Sequence, residues 1–265
     1  MMKTSPTPLS SLPAELERFE KITLEELKNS DAQLLNRKER KFLMTRAQFS
    51  ELLTGLSGSY RVLEIDHSRM SRYSTDYYDT DSFLTYLQHH NGKANRFKLR
   101  VRHYLSSGDS YLEIKEKRNT GNTMKRRIPV EGDTKLSEPA PEAFLSSAFP
   151  YDYRAFHPVL TTDYTRVTLV ARDHPERITF DLDLSFQTDE CEYSYPDVVV
   201  GEIKHNCPLR QSPAGALLHT LGIRSTSFSK YCTGISLTRT QVKHNRFKKN
   251  LLLLDKLSRG GTCIC

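Results

Sequence analysis

Residues 96–104 read RFKLRVRHY, and the pattern alternates strictly: Phe97, Leu99 and Val101 take one parity, Arg96, Lys98, Arg100 and Arg102 the other. Such alternation puts each set on its own face of a β-strand, so one face is apolar and the other carries four positive charges. Seven more segments have strand character, from β-branched and aromatic residues: 60–66, 72–78, 111–117, 124–130, 159–171, 177–186 and 198–205. Gly108-Asp109 and Gly121-Asn122 fall between consecutive segments, where hairpin turns belong, and short connections favour antiparallel pairing.

Elsewhere the period lengthens to that of a helix. Thr23-Leu-Glu-Glu26 and Thr45-Arg-Ala-Gln48 have capping-box spacing. The second is followed by Phe49, Leu52, Leu53 and Leu56 on one helical face, with Gly55 and Gly58 towards its close. Further helices are expected over 82–89, 139–147 and 212–221. The last has Ser212 as N-cap, Pro213 at the first helical position and Gly222 just beyond its end. The organisation expected is a disordered segment over 1–22, one domain over 23–240 and a basic C-terminal helix or tail over 241–265. Eight strands suit one antiparallel sheet closed on itself to remove its edges. The expected fold class is therefore α+β, an eight-stranded antiparallel β-barrel with flanking helices.

Charge changes this picture most. The 265 residues include 39 Lys and Arg against 32 Asp and Glu, a net +7 that suggests an anionic partner. The first 13 residues lack an apolar signal core, and the aliphatic run 251–254 is far too short to span a bilayer, so a cytoplasmic protein is expected. The five cysteines, Cys191, Cys207, Cys232, Cys263 and Cys265, are odd in number and irregular in spacing, which suits a reducing compartment. Cys263-Ile-Cys265 and His205-Asn-Cys207 have no matching partner pair, so free thiols are expected rather than zinc.

The cationic face of 96–104 is one of several. Glu113, Lys115 and Lys117 share a parity in 111–117, as do Lys125 and Arg127 in 124–130; Arg166 falls in 159–171. Arg177, Thr179, Asp181 and Asp183 oppose Ile178, Phe180, Leu182 and Leu184, and Glu202 and Lys204 follow the apolar run 198–200. Two positive charges about 5 Å apart repel by roughly 3 kcal/mol at an effective dielectric near 20. A solvated sheet face mixes signs; persistent cationic faces call for an anion that offsets the repulsion. The carboxylates of the same parities add nothing to a nucleic-acid groove, but they suit condensed phosphate, to which Mg²⁺ or Mn²⁺ bridges a carboxylate. Glu113, Asp181 and Asp183 fit such a role or that of salt-bridge partners equally well. Glu202 follows apolar residues and Gly201 and is the best metal candidate. The 13 tyrosines and 12 phenylalanines mostly alternate as core residues rather than lining the cationic faces as stacking platforms, so no nucleic-acid partner is expected.

The ordered set RKERKFL (37–43), YYDT (77–80), RFKLRVRHY (96–104), YLEIKEK (111–117), KRR (125–127), TRV (165–167), RITFDLDL (177–184), VVGEIKHN (199–206) and SFSKY (227–231) resembles the VTC-domain proteins, the polyphosphate polymerase branch of the triphosphate tunnel metalloenzymes that also include the CYTH proteins. The resemblance covers about 36–237. It implies a basic eight-stranded tunnel that transfers the γ-phosphate of ATP or another nucleoside triphosphate to inorganic polyphosphate, with Mn²⁺ or Mg²⁺. It implies that Arg100, Arg102, Lys115 and Arg177 hold the triphosphate. Lys41, Lys125, Arg127, Arg166, Lys204 and Lys230 line the path of the chain, and Glu202 binds metal with Glu113 as a possible second ligand. Arg96 and Lys98 are expected at the tunnel mouth or in water. Where CYTH members open with E-x-E-x-K, this chain has Arg37, Glu39 and Lys41, which leans away from CYTH-type triphosphatases. Polymerase, triphosphatase and non-catalytic polyphosphate or inositol-phosphate binder all remain open on these residues. No nucleophile–base arrangement is evident, and His89, His90 and His103 are expected at the surface or in packing.

Overall fold

The computed structural model describes residues 14–30, 38–206, 208–258 and 262–264. A 3-10 turn at Ala14–Arg18 leads into β1 (Glu20–Ile22) and α1 (Leu24–Asn29), and then β2 (Lys38–Thr45) runs directly into α2 (Arg46–Leu56). Both capping boxes form: Thr23 accepts from the Glu26 amide and Thr45 from the Gln48 amide, each reciprocated by the acid or amide side chain. Next come β3 (Tyr60–Leu63), β4 (Ser71–Asp79), α3 (Leu84–His90), β5 (Arg96–Tyr104), β6 (Ser110–Lys117), β7 (Thr123–Val130) and α4 (Pro139–Ala148). The chain continues through β8 (His157–Ala171), β9 (Glu176–Gln187), β10 (Glu192–Tyr195), β11 (Val198–His205) and α5 (Pro213–Thr220). It finishes with β12 (Ser225–Thr226), α6 (Lys230–Thr238), α7 (Lys248–Ser258) and β13 (Thr262–Ile264).

One antiparallel path orders the sheet as β12-β2-β11-β9-β8-β4-β5-β6-β7. Its eight strands other than β12 are each eight residues or longer. The membership differs from the sequence expectation. Segment 60–66 gives only the short β3, which pairs with the end of β8 and, in parallel, with β1; the place in the main path goes to β2. The expected barrel closure is also corrected: among the described residues no ladder joins β7 to β2. The outer side of β2 is taken by β12, through Ser225 opposite Phe42 and Thr226 opposite Lys41. The free edge of β7 carries Lys125, Arg126, Arg127 and Pro129, residues that discourage pairing with another strand.

The apolar parities face outward onto the helices. Phe42, Met44, Phe180, Leu182 and Val199 pack under Phe49, Leu52, Leu53 and Leu56 of α2 and Ala214 and Leu218 of α5. Leu99, Val101, Leu112 and Ile114 pack outward under α4, whereas Tyr77, Leu160 and Phe186 share the inner face with Arg100 and Arg102 and, with Leu184, are covered there by α3, α6 and α7. Residues 14–22, expected to be disordered, are ordered because Leu16, Phe19 and Ile22 are all buried at 2 % exposure or less; residues 1–13, Arg37, Cys207 and the side chains of Cys263 and Cys265 lie outside the described residues. The basic C-terminal helix is α7, held by buried Leu254.

Asp79 explains the packing of YYDT. It has no exposure, and its carboxylate accepts from the Thr80, Thr85 and Tyr86 amides and from the Thr85 and Tyr231 hydroxyls. It thereby serves the N-terminus of α3, whose own N-cap position, Phe83, is left-handed and offers no side-chain cap.

Candidate functional site

Turning apolar parities outward turns the cationic parities inward. They line one cavity of about 2210 Å³ to which all eight long strands contribute. Lys41, Arg100, Arg102, Lys115, Lys125, Arg127, Arg166, Arg177, Glu202, Lys204 and Lys230 all lie on its wall. Lys230 arrives from the N-terminus of α6, positioned by Ser229, whose hydroxyl caps the helix at the Cys232 amide. Lys41 is tied to the same junction by donating to the Phe228 carbonyl at 3.0 Å.

Three carboxylates organise this wall, each holding two cations. Glu113, 1 % exposed, takes Arg100 through Nε at 2.8 Å and Nη2 at 2.6 Å, and also pairs with Lys125. Asp181 receives a bidentate fork from Arg166, at 2.6 and 2.9 Å, and pairs with Lys230. Glu202 pairs with Lys204 at 2.8 Å and with Lys41 at 3.7 Å. Burial pushes each acid up, but the cations outweigh it: Arg100, Arg102 and Lys125 hold Glu113 at about 2, Arg166 and Lys230 hold Asp181 far below the usual range, and Lys41 and Lys204 do the same for Glu202. Each triad therefore stays ionised with one positive charge uncompensated.

Further cations stand outside these triads. Lys115 has no carboxylate at ion-pair distance among the described residues. Burial and the Lys41 charge push its ammonium down to about 7, against weaker support from Glu39 and Glu202. Arg102 is 9 % exposed; its Nε donates to the Thr75 hydroxyl at 3.4 Å and its guanidinium lies 5.8 Å over the Tyr73 ring. Lys98, expected at the tunnel mouth or in water, lines the cavity: its Nζ donates to Ser229 at 2.7 Å, lies 5.3 Å over Tyr231, and is pushed down by burial. His89 meets the Cys232 thiol at 2.9 Å; burial, with Lys98 and Arg96, pushes it down to about 2, so it stays neutral as a packing residue.

The carboxylates divide by access. Glu202, Glu39 and Asp109 line the cavity, whereas Glu113 and Asp181 sit behind the cations that they hold. Glu113, expected as a possible second metal ligand, is buried with its oxygens turned to Arg100 and Lys125. Asp183 is turned away by a left-handed residue (φ 52°) in β9 and pairs with Arg46 at the start of α2. No group of three or more His, Cys, Asp or Glu among the described residues forms a metal cage. Glu202, on the cavity wall beside Lys204 and Lys41, is the carboxylate of the triads through which a hard divalent cation could be held there.

The tyrosines overturn another expectation. Tyr73, Tyr77, Tyr104 and Tyr111 all line the cavity. Tyr73 stacks on Tyr164 at 5.3 Å and 7°, Tyr77 on Tyr231 at 5.0 Å, and Arg127 lies 4.4 Å over Tyr111. Parity carried the signal: Tyr104 is in step with Arg100 and Arg102, and Tyr111 with Glu113 and Lys115.

The antiparallel sheet thus presents a concave face that is cationic and braced by carboxylates. The VTC domain profile matches residues 36–239, and the chain belongs to the VTC-domain family. Among solved structures, one from Bacillus halodurans, described as a candidate adenylate cyclase, is similar at TM-score 0.48 and 15 % identity over 73 % of this chain and 93 % of that one. HpAC1 from Hippeastrum, described as a candidate adenylyl cyclase with a dominant triphosphatase activity, is similar at TM-score 0.48 and 13 % identity over 75 % and 96 %. A Vibrio parahaemolyticus candidate adenylate cyclase gives 0.45 and 14 % over 76 % and 97 %. No curated protein matches the chain. No helix among the described residues is long and apolar enough to cross a membrane.

Proposed function

We propose that this chain is a polyphosphate polymerase, transferring the γ-phosphate of ATP or another nucleoside triphosphate to the end of an inorganic polyphosphate chain. The observation that carries the reading is the surplus of cations on the cavity wall, above all half-buried Lys115 and buried Arg102, beside three triads that are each positively charged. Such a wall is electrostatically unfavourable when empty, and a chain of phosphates relieves it. Membership of the VTC-domain family supports the same substrate class.

In this reading Arg100, Arg102, Lys115 and Arg177 hold the triphosphate. Arg guanidinium forks match phosphate oxygens, and Lys supplies compact charge. Lys41, Lys125, Arg127, Arg166, Lys204 and Lys230 line the course of the polyphosphate. Glu202 holds a divalent cation, Mn²⁺ or Mg²⁺, which when bound neutralises charge on the phosphate oxygens. An oxygen of the acceptor's terminal phosphate attacks the γ-phosphorus. The bond from that phosphorus to the β,γ-bridging oxygen breaks, and the nucleoside diphosphate leaves with the electron pair. The acceptor oxygen is already anionic, so no protein nucleophile is required, and the protein's part is alignment and charge stabilisation.

The test is incubation with ATP and Mn²⁺, with and without a short polyphosphate primer, with products resolved by length. Chains that lengthen are expected. Free phosphate without chain growth means a triphosphatase. Ligand binding in EDTA without turnover under any metal means a binding module.

A further inference from the structure

The cavity wall is not uniform along its length. Towards the β5–β6 hairpin the lining gains Tyr73, Tyr104 and Tyr111 beside Arg72, with Ser106, Ser107 and Asp109 from the hairpin itself. The three rings form one cluster: Tyr73 and Tyr104 at 5.0 Å, Tyr104 and Tyr111 at 5.6 Å and 78°. None is fully buried, and none of the contacts of Tyr104 is a parallel stack. Aromatic rings left partly open on the wall of a highly charged cavity are poor partners for phosphate but good ones for a flat heterocycle.

The cluster also lies at a suitable distance from the phosphate-binding cations. Tyr104 is on the same face of β5 as Arg100 and Arg102, four residues beyond Arg100, or about 13 Å at about 3.3 Å per residue. Arg127 marks the boundary, its guanidinium 4.4 Å over the Tyr111 ring. We propose that Tyr104 and Tyr111 form a stacking site for the nucleobase of the donor nucleotide, whose triphosphate extends from them to Arg102 and Arg100. This rests on the reading of the cavity as a nucleoside-triphosphate site and adds where the nucleoside lies. Stacking tolerates any base, so purines bind best and ATP and GTP alike.

The test compares ATP with ribose 5′-triphosphate, which keeps the charge and the sugar but lacks the base, by titration calorimetry on the full chain. The wild type is expected to bind ATP about tenfold more tightly, within the usual range for one base on an aromatic ring. Tyr104→Leu and Tyr111→Leu are each expected to bring ATP down to the affinity of ribose 5′-triphosphate. Equal affinities in the wild type overturn the proposal without any variant. So does a Tyr104→Leu or Tyr111→Leu protein that keeps the preference, or that weakens both ligands equally. If ribose 5′-triphosphate and tripolyphosphate also fail to bind, the functional reading itself fails, a distinct outcome.

Discussion

Replacing Lys115 by Met tests whether the site is built against its own stability. The ammonium is pushed from an ordinary 10.5 to about 7, by burial first and then by the Lys41 charge. In the unfolded chain it returns to the ordinary value. Between pH 7 and 10.5 the unfolded state therefore holds the extra proton, and folding stability rises with pH across that window; below pH 7 the full penalty applies. At about 1.36 kcal/mol per pH unit, the penalty reaches roughly 5 kcal/mol at low pH and is about 2–3 kcal/mol smaller at pH 9 than at pH 6. Met fills similar volume without charge. Lys115→Met is thus expected to be more stable than wild type in urea denaturation at pH 6, with the advantage shrinking by about 2–3 kcal/mol at pH 9. The same variant is expected to gain less stability than wild type from added tripolyphosphate. If Lys115→Met is less stable at pH 6, or its advantage is flat between the two pH values, the ammonium is compensated in the empty protein and the electrostatic argument for the site fails.

Asp181→Asn strands Arg166 and Lys230 without a counter-charge and is expected to cost about 3–5 kcal/mol in denaturant unfolding. Acid does the same to the wild type: Asp181 and Glu113 are depressed, so their contributions are complete above their ordinary values and are lost as pH falls towards the folded ones, which should appear as a steep drop in thermal stability below about pH 4. Glu202→Gln is expected to abolish metal-stimulated turnover while tripolyphosphate binding in EDTA persists; unchanged turnover removes Glu202 from the metal site. Asp79→Asn weakens the acceptor of the Thr85, Tyr86 and Tyr231 donors and is expected to lower the melting temperature by several degrees, a shift readable by circular dichroism.

Much of the site was legible because strand periodicity needs only local sequence. The alternation in 96–104 and 111–117 put Arg100, Arg102 and Lys115 on common faces, and those faces do line the cavity. The capping boxes at Thr23 and Thr45 were equally local and form as spaced. The expectation that tyrosines stay off the cationic faces was mistaken despite the available parity signal, since aromatic residues were read as core by type rather than by position.

What parity cannot supply is which residues meet across strands. Glu113, Asp181 and Glu202 look alike in sequence, yet two sit behind their cations and one borders the cavity. That outcome depends on register, which shifts in β8 between Asp163 and Thr165 opposite β9, and in β4 between Tyr77 and Tyr78. Lys98 continues the same cationic row as Arg100, and only the docking of α6 brings Ser229 and Tyr231 over it. Closure of the sheet was likewise beyond local pattern, because β12, only two residues long and outside every segment with strand character, takes the side of β2 that β7 would have needed. The sequence by itself determined the faces and their charge, which follow from backbone period. The tertiary structure alone decided which charges are spent on one another and which remain for a ligand, because ion pairing and burial are properties of distances between strands that are far apart in the chain.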